Sequence, residues 1–195
     1  MGGGKHQAFR VEVPGGATRV LLHACCAPCS SAIVECLLAQ GIRPVIFYSN
    51  ANIFPEAEYG IRLNECIRFA RSQGLEIVED AYDHADWRRF VAGLENEPER
   101  GARCLACFTY RLGRAARYAS DHGFPVLATT LASSRWKDLS QVNAAGAAAC
   151  ESFPAVTWWP QNWRKGGLQD RRNALLKEYG FYNQLFCGCE FSRRP

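Results

Sequence analysis

The stretch that decides the fold is Val20-Leu-Leu-His-Ala-Cys-Cys-Ala-Pro-Cys-Ser-Ser31. Its apolar beginning predicts a buried strand that ends at His23, and the apolar spacing that follows predicts a helix over 30–40, capped by Ser30 or Ser31. An open α/β sheet places its ligand at such a turn, because the strand end and the free N–H groups of the helix meet there. Three thiols in place of glycines indicate a soft metal or a redox centre rather than a phosphate site.

Strands and helices alternate along the rest of the chain. Apolar patterns predict strands over 19–23, 43–48, 75–78, 124–130 and 156–159, and helices over 30–40, 56–73, 85–94, 104–121, 138–150 and 168–179. This alternation is typical of βαβ units, so we expect an α/β protein with a mostly parallel sheet flanked by helices. We interpret residues 18–195 as a single domain with a metal-binding C-terminal tail, preceded by a flexible leader over 1–17.

The composition indicates a globular protein with more cysteine than packing requires. With 195 residues, 48% of them hydrophobic, the chain can bury a full core, and its net charge of +4 is mild. The polar N-terminus does not resemble a signal peptide and no apolar run is long enough to cross a membrane, so we expect a cytoplasmic protein without a membrane partner. In that reducing compartment, ten cysteines favour metal binding or catalysis over disulfides.

Seven of the cysteines form three compact groups and are candidate metal ligands. The groups are Cys25, Cys26 and Cys29, then Cys104 and Cys107, and then Cys187 and Cys189. A C-x-x-C spacing lets two thiolates reach one metal centre, and the glycine within the last pair allows a tighter bend. Seven thiols exceed the four of one structural zinc site, which favours a four-cysteine cluster with a second metal or an open site beside it. The cysteines at 36, 66 and 150 occupy apolar helical positions and are predicted to be small buried side chains.

Seven motifs, in this order, resemble the QueH-type epoxyqueuosine reductases. They are His23-Ala-Cys-Cys-Ala-Pro-Cys29, Tyr48-Ser-Asn-Ala-Asn-Ile-Phe-Pro55, Glu58-Tyr59 with Arg62, Arg103-Cys-Leu-Ala-Cys107, Thr129-Thr-Leu-Ala-Ser-Ser134, Asn162-Trp-Arg-Lys-Gly-Gly167 and Phe186-Cys-Gly-Cys-Glu-Phe-Ser192. The resemblance extends over nearly the whole chain. It implies a Rossmann-like fold of the HUP type and the reduction of an epoxide to an alkene on a modified base at the tRNA wobble position.

The resemblance also implies a 4Fe–4S cluster beside a second iron, without cobalamin, and we expect an external low-potential electron donor. We expect Cys104, Cys107 and two other clustered cysteines to hold the cluster and the rest to hold the second iron, a partition that spacing leaves open. Some members carry Asp at the position of Cys29, and the softer thiol here leaves the identity of the second metal open. Cys29 and His23 are the candidate catalytic residues. His23 would be a proton donor or orient a ligand, and the alternative is a satisfied polar residue at the end of a strand.

Basic and aromatic residues in the last third of the chain indicate where tRNA would bind. Arg135 and Lys137 follow the fourth predicted strand. Farther along, the aromatic residue Trp163 stands next to the basic residues Arg164 and Lys165. Rings stack on unpaired bases and cations neutralise phosphates, as an anticodon loop requires, and the two glycines that follow would let the backbone approach a phosphate. The alternative is that the tryptophans belong to the core and the charges to a solvated surface.

Other functions fit parts of the sequence. A nucleotide-using relative would need a Gly- or Ser-rich phosphate loop after the first strand, where Cys-Cys-Ala-Pro-Cys stands instead. A thiol–disulfide oxidoreductase needs one reactive pair and leaves five clustered cysteines without a role. The remaining alternative is a zinc-stabilised RNA-binding module without catalysis, which would be colourless, whereas an iron–sulfur reductase would be brown.

Overall fold

Five strands form one parallel sheet in the computed structural model, which describes residues 9–192. The strands are β1 (Val20–His23), β2 (Val45–Tyr48), β3 (Ile77–Glu79), β4 (Val126–Thr129) and β5 (Thr157–Trp158), in the order β3-β2-β1-β4-β5. The central strand β1 is fully buried because helices cover the sheet on both faces. The predicted α/β class and the Rossmann-like arrangement are confirmed.

Six α-helices flank the sheet within the described residues. They are α1 (Ala27–Leu38), α2 (Glu56–Ser72), α3 (His84–Phe90), α4 (Ala102–Asp121), α5 (Leu139–Glu151) and α6 (Leu168–Glu178). A helix that connects parallel strands runs back across the sheet, so its first turns lie at the edge where the strands end. This arrangement brings the beginnings of α1 and α4 to the same edge.

Helix α1 begins earlier than its apolar spacing predicts. Pro28 stands in its first turn, where the fixed φ of proline suits a helix and its missing N–H costs no hydrogen bond. The N-cap is Cys26, and neither predicted serine caps the helix, because both hydroxyls donate within it, Ser30 to the carbonyl of Cys26 and Ser31 to that of Pro28. The prediction of a serine cap is therefore wrong, and the first turn contains Cys29.

The sheet opens a crevice between the turns that follow β1 and β4. Strands β2 and β3 lie on one side of β1, and strands β4 and β5 lie on the other side. His23 is in register with Thr129 where the central strands β1 and β4 end. Open parallel sheets bind ligands at such a point, because the two connections leave in opposite directions. The cysteine turn after β1 therefore lies at the expected ligand site.

The beginning of the described chain packs on the core. Phe9, Val11 and Val13 are partly buried against it, and the backbone N–H of Val11 donates to the side chain of Gln40 at 3.0 Å. The first eight residues of the predicted leader lie outside the described residues. Between residues 9 and 192, no helix combines the length and the apolar character that crossing a membrane requires.

Candidate metal centre

The turn between β1 and α1 gathers three thiols, named here the turn trio. The sulfur atoms of Cys25, Cys26 and Cys29 all lie within 4.8 Å of one another, and the Cys25 and Cys26 sulfurs are 3.9 Å apart. Cys25 and Cys26 end the extended segment, and Cys29 follows in the first turn of α1. One strand-to-helix turn thus builds a site for a soft metal ion from neighbouring residues.

Hydrogen bonds from two distant segments hold the turn trio. The Thr130 hydroxyl accepts from the backbone N–H of Cys25 at 3.0 Å and donates to the Cys25 sulfur at 3.3 Å. The Gln184 side chain donates to the Cys26 sulfur at 2.8 Å. Hydrogen bonds from Cys26, Cys29 and Thr130 lower the pKa of the Cys25 thiol, whereas the Cys25 sulfur raises the pKa of the Cys26 thiol. Cys25 is therefore the member of the trio most inclined to be a thiolate.

Four further thiols meet at the same edge and are named here the helix–tail quartet. Cys104 and Cys107 lie in the first two turns of α4, and Cys187 and Cys189 belong to the tail that follows α6. Burial raises the pKa of Cys104, Cys107 and Cys189, and negative charge on Cys187 raises each of them further. The thiols of this group thus act on one another across a long separation in sequence.

The tail docks through its backbone rather than through its cysteines. The Arg62 side chain on α2 donates to the carbonyls of Cys187 at 3.1 Å and Phe186 at 3.3 Å, and it forms an ion pair with Glu58. Gly188 has a φ of +105°, and a Cβ there would lie 2.9 Å from Ile53 Cγ1. Glycine is therefore needed between the two cysteines for both conformation and space.

The trio and the quartet open onto one cleft of about 930 Å³. Six of the seven clustered cysteines line it, and Cys26 lies just behind its wall with 1% of its surface exposed. A cleft of this size is within the range of small-molecule sites. All seven predicted ligands are thus brought to one place, whereas Cys66 and Cys150 are buried elsewhere and Cys36 is half-buried.

A lysine predicted to bind RNA instead points at the thiols. Lys137 lines the cleft; burial alone would lower its pKa, but negative charge on Cys187, Cys25 and Cys29 outweighs this effect and raises it. The side chain therefore keeps its ammonium group. A cation at this position would balance the negative charge of thiolates in the trio and the quartet.

His23 lies behind the cleft rather than in it. Its ring is fully buried, with Nε2 at 3.0 Å from the Ser49 carbonyl and Nδ1 at 2.8 Å from the Thr129 hydroxyl. The carbonyl requires a proton on Nε2, so Nδ1 accepts from Thr129. Burial and the charge of Arg111 lower the pKa of His23 to about 3, which keeps the ring neutral. These contacts suit the alternative of a satisfied polar residue at the end of β1, and the roles of proton donor and of ligand-orienting group stay predictions.

The segment over 163–165 is divided between core and surface. Trp163 has no exposed surface and packs edge-on against Trp159 at 5.4 Å, which leaves no ring surface for a base to stack on. Arg164 donates to the carbonyls of Ser134 and Lys137 at 2.6 and 2.7 Å. Lys165 is exposed, as is Arg135 on the preceding turn. Of the predicted RNA contacts, Arg135 and Lys165 are thus the two on the surface.

The glycine that follows this segment has a packing role. A Cβ on Gly166 would lie 2.1 Å from Cγ of Phe9, so the ring of Phe9 occupies the space that a side chain would need. The close approach that we expected of a phosphate is therefore made by an apolar ring.

A buried arginine that the sequence reasoning missed ties the site together. Arg111 lies one turn beyond Cys107 on the same face of α4, and it donates to the Ser49 carbonyl at 3.1 Å and to the Asn50 side chain. Asn50 in turn donates to the carbonyl of Ala24 at 2.9 Å. These bonds fix α4 to the residue before the trio. The i, i+3, i+7 spacing of Cys104, Cys107 and Arg111 was the signal available in the sequence.

Two further side chains of the site carried no signal in the sequence. Trp87 is fully buried beside Cys107. Asn52 is 1% exposed, lines the cleft and has a carbonyl oxygen without a partner among the described residues. Buried polar atoms in native proteins are normally paired, so this oxygen is a candidate for a ligand contact.

The donor set fits an iron–sulfur cluster and a second soft metal. Four thiols and three thiols form two groups on one cleft, with Arg111 and Lys137 nearby to balance their charge. The Gln184 amide directs an N–H group at the Cys26 sulfur, the kind of contact that tunes such centres.

Comparison with known proteins supports the same interpretation. A family model described as "Epoxyqueuosine reductase QueH" matches residues 20–195. The chain belongs to the QueH family. Relatives named epoxyqueuosine reductase QueH from Histophilus somni and Haemophilus influenzae are each 45% identical over 185 residues, which cover 95% of this chain and 76% of the relative. The relative of that name from Thermotoga maritima is 31% identical over 177 residues, 89% of each chain. All seven clustered cysteines lie within the part matched by the family model.

Proposed function

We propose that the protein is an epoxyqueuosine reductase that converts the epoxide of epoxyqueuosine at the tRNA wobble position to the alkene of queuosine. The reaction consumes two electrons and two protons and releases the oxygen as water. The observation that carries the proposal is the meeting of seven thiols, from three separate parts of a QueH-family chain, on one cleft. The electrons come from an external low-potential donor, and a tRNA substrate implies a cytoplasmic location.

The division of the thiols supports a division of the metals. The helix–tail quartet supplies the four thiolates that a 4Fe–4S cluster takes, and the turn trio is left for a second iron with a free coordination position. When bound, such a cluster transfers single electrons and an iron ion with an open position polarises an oxygen atom. The proposal thus assigns Cys187 and Cys189 to the cluster and Cys25, Cys26 and Cys29 to the second iron.

Residues of the cleft wall would orient the substrate. The ammonium group of Lys137 holds its protons beside Cys25 and Cys29 and would donate a hydrogen bond to an oxygen atom that gains negative charge. The unpaired Asn52 oxygen would accept a hydrogen bond from a hydroxyl or amino group of the modified base. Phe54, Trp136 and Leu185 are exposed large apolar residues of this chain, and the last two line the cleft, where they would limit access of water.

The metal content of protein purified without oxygen tests the proposal first. We expect iron and sulfide in excess of one cluster, a brown colour that dithionite bleaches, and conversion of epoxyqueuosine in tRNA, followed by mass spectrometry of the digested nucleosides. Stoichiometric zinc, no colour after anaerobic reconstitution and no conversion would overturn the proposal in favour of a zinc-stabilised RNA-binding module.

A further inference from the structure

Two arginines clamp the turn over 134–137, which follows β4 on the cleft rim. Arg164 donates to the carbonyls of residues 134 and 137 at 2.6 and 2.7 Å. Arg100 donates through Nη2 to the carbonyl of residue 135 and through Nε to that of residue 136, both at 3.1 Å. Four consecutive carbonyls are thus each bonded to an arginine from a distant segment, so the turn is held rigidly.

Backbone strain accompanies this clamp. Arg100 has a φ of +68° and is the one non-glycine residue with positive φ among those described. Its carbonyl accepts from the Gln141 side chain at 2.7 Å, which helps to hold this conformation. Such a conformation is unfavourable for a residue with a Cβ, and strain of this kind concentrates where a functional geometry must be fixed.

The clamped turn presents an aromatic ring at the mouth of the cleft. Trp136 lines the cleft but is 70% exposed, and the guanidinium group of Arg135 lies 5.2 Å from its ring centroid. The next residue, Lys137, points inward toward the thiols. An exposed indole on a clamped backbone, with a cation over one face of its ring, has the composition of a surface on which a nucleobase stacks on the other face while its phosphate meets the cation.

We propose that Trp136 is the stacking platform for the nucleobase that neighbours the modified base in a single-stranded RNA loop. The inference rests on the proposed function, because a wobble base that enters the cleft leaves its neighbour at the rim. Arg135 would meet the phosphate between the two nucleotides. Because the backbone that carries the ring is already held in place, it loses little conformational freedom when RNA binds.

The test measures binding of a labelled RNA hairpin with an anticodon-loop sequence to metal-loaded protein by fluorescence anisotropy. Trp136→Ala should weaken binding about 5- to 150-fold, the range expected for one stacked base, while Trp136→Phe should retain most of the affinity. The salt dependence should be unchanged in Trp136→Ala but reduced in Arg135→Gln, which loses a phosphate contact. Phe90→Ala removes a half-exposed ring outside the cleft and should bind as the wild type does.

A hairpin with an abasic nucleotide beside the wobble position completes the test. The wild type should bind this abasic hairpin as weakly as Trp136→Ala binds the intact hairpin. The affinity of Trp136→Ala should differ little between the two hairpins. Equal affinities of the wild type and Trp136→Ala at equal iron content, equal weakening in Phe90→Ala, or no hairpin binding by the wild type would each overturn the inference. A wild type that binds as expected but does not reduce epoxyqueuosine would instead overturn the proposed function.

Discussion

The turn trio and the helix–tail quartet line the same cleft but are assembled in different ways. The trio comes from residues 25–29, and one strand-to-helix turn brings its sulfur atoms within 4.8 Å of one another. The quartet joins the beginning of α4 to the tail, and it depends on Arg62 and Gly188, neither of which is a ligand. The comparison teaches that one turn is enough to bring neighbouring ligands together, with distant segments adding hydrogen bonds to them, whereas a ligand set made of distant segments exists only where other residues dock those segments.

Removal of one sulfur from each group should give the largest effects and separate the two metals. Cys189→Ala should lose the visible absorbance and the sulfide, because a 4Fe–4S cluster takes four thiolates, while Cys25→Ala should retain both and lose only the additional iron. Activity should fall to background in both. Iron content, sulfide content and the visible spectrum of each variant measure these losses. The control is Cys150→Ala, which removes a sulfur atom from the core outside both groups. Full iron content and activity in Cys25→Ala or Cys189→Ala would contradict the assignment.

Loss of the tail clamp should damage the quartet and spare the trio. Arg62→Ala removes two hydrogen bonds to the tail and leaves the carboxylate of Glu58, 11% exposed, without its ion-pair partner. Breaking a buried pair costs about 3–5 kcal/mol, so urea unfolding should show that loss together with loss of sulfide. Arg68→Ala breaks an exposed pair with Glu65 and should cost less than about 1 kcal/mol. Retention of sulfide in Arg62→Ala would show that the tail docks without this clamp.

A methyl group on Gly188 should have a similar but smaller effect. Gly188→Ala would place Cβ 2.9 Å from Ile53 and 3.0 Å from Arg62 at a φ of +105°, at a cost of about 2–4 kcal/mol from crowding and conformation together. Gly41→Ala, at a φ of +76° with no atom within 4 Å of its Cβ, carries the conformational cost alone. The difference between their unfolding free energies isolates the crowding of the tail. If Gly188→Ala and Gly41→Ala lost the same unfolding free energy, the tail would lie farther from α2 than it does in the structure.

Acid should weaken the strand end that supports the trio. Burial and the charge of Arg111 lower the pKa of His23 from 6.5 to about 3, so the unfolded chain takes up a proton that the folded chain refuses. Stability should therefore fall as the pH drops below about 6.5, by up to about 1.4 kcal/mol per unit, or about 2 kcal/mol by pH 5. His23→Gln should flatten this slope in urea unfolding at about pH 7 and about pH 5. The control is His122→Gln, on an exposed ring, and an unchanged slope in His23→Gln would contradict the prediction.

The sequence by itself determined the α/β class, the places of the strands and helices, and the three cysteine groups. These features depend on residues close together in the chain: apolar periodicity sets the elements, and the spacing within each pair sets what its thiols can reach. One error was local as well, since Pro28 allows α1 to begin before the serines that were expected to cap it. The motifs, taken in their order along the chain, also identified the family, because they extend over the whole sheet and its site.

Only the tertiary structure decided how these parts are used. Trp163 and Trp136 have the same side chain and lie near basic residues, yet one is fully buried and the other is 70% exposed. Lys137 faces the thiols, Arg164 clamps a turn, and Arg62 holds the tail, although each would read in the sequence as a surface charge. Burial and contacts between distant segments follow from the packing of the whole chain, which no local pattern contains.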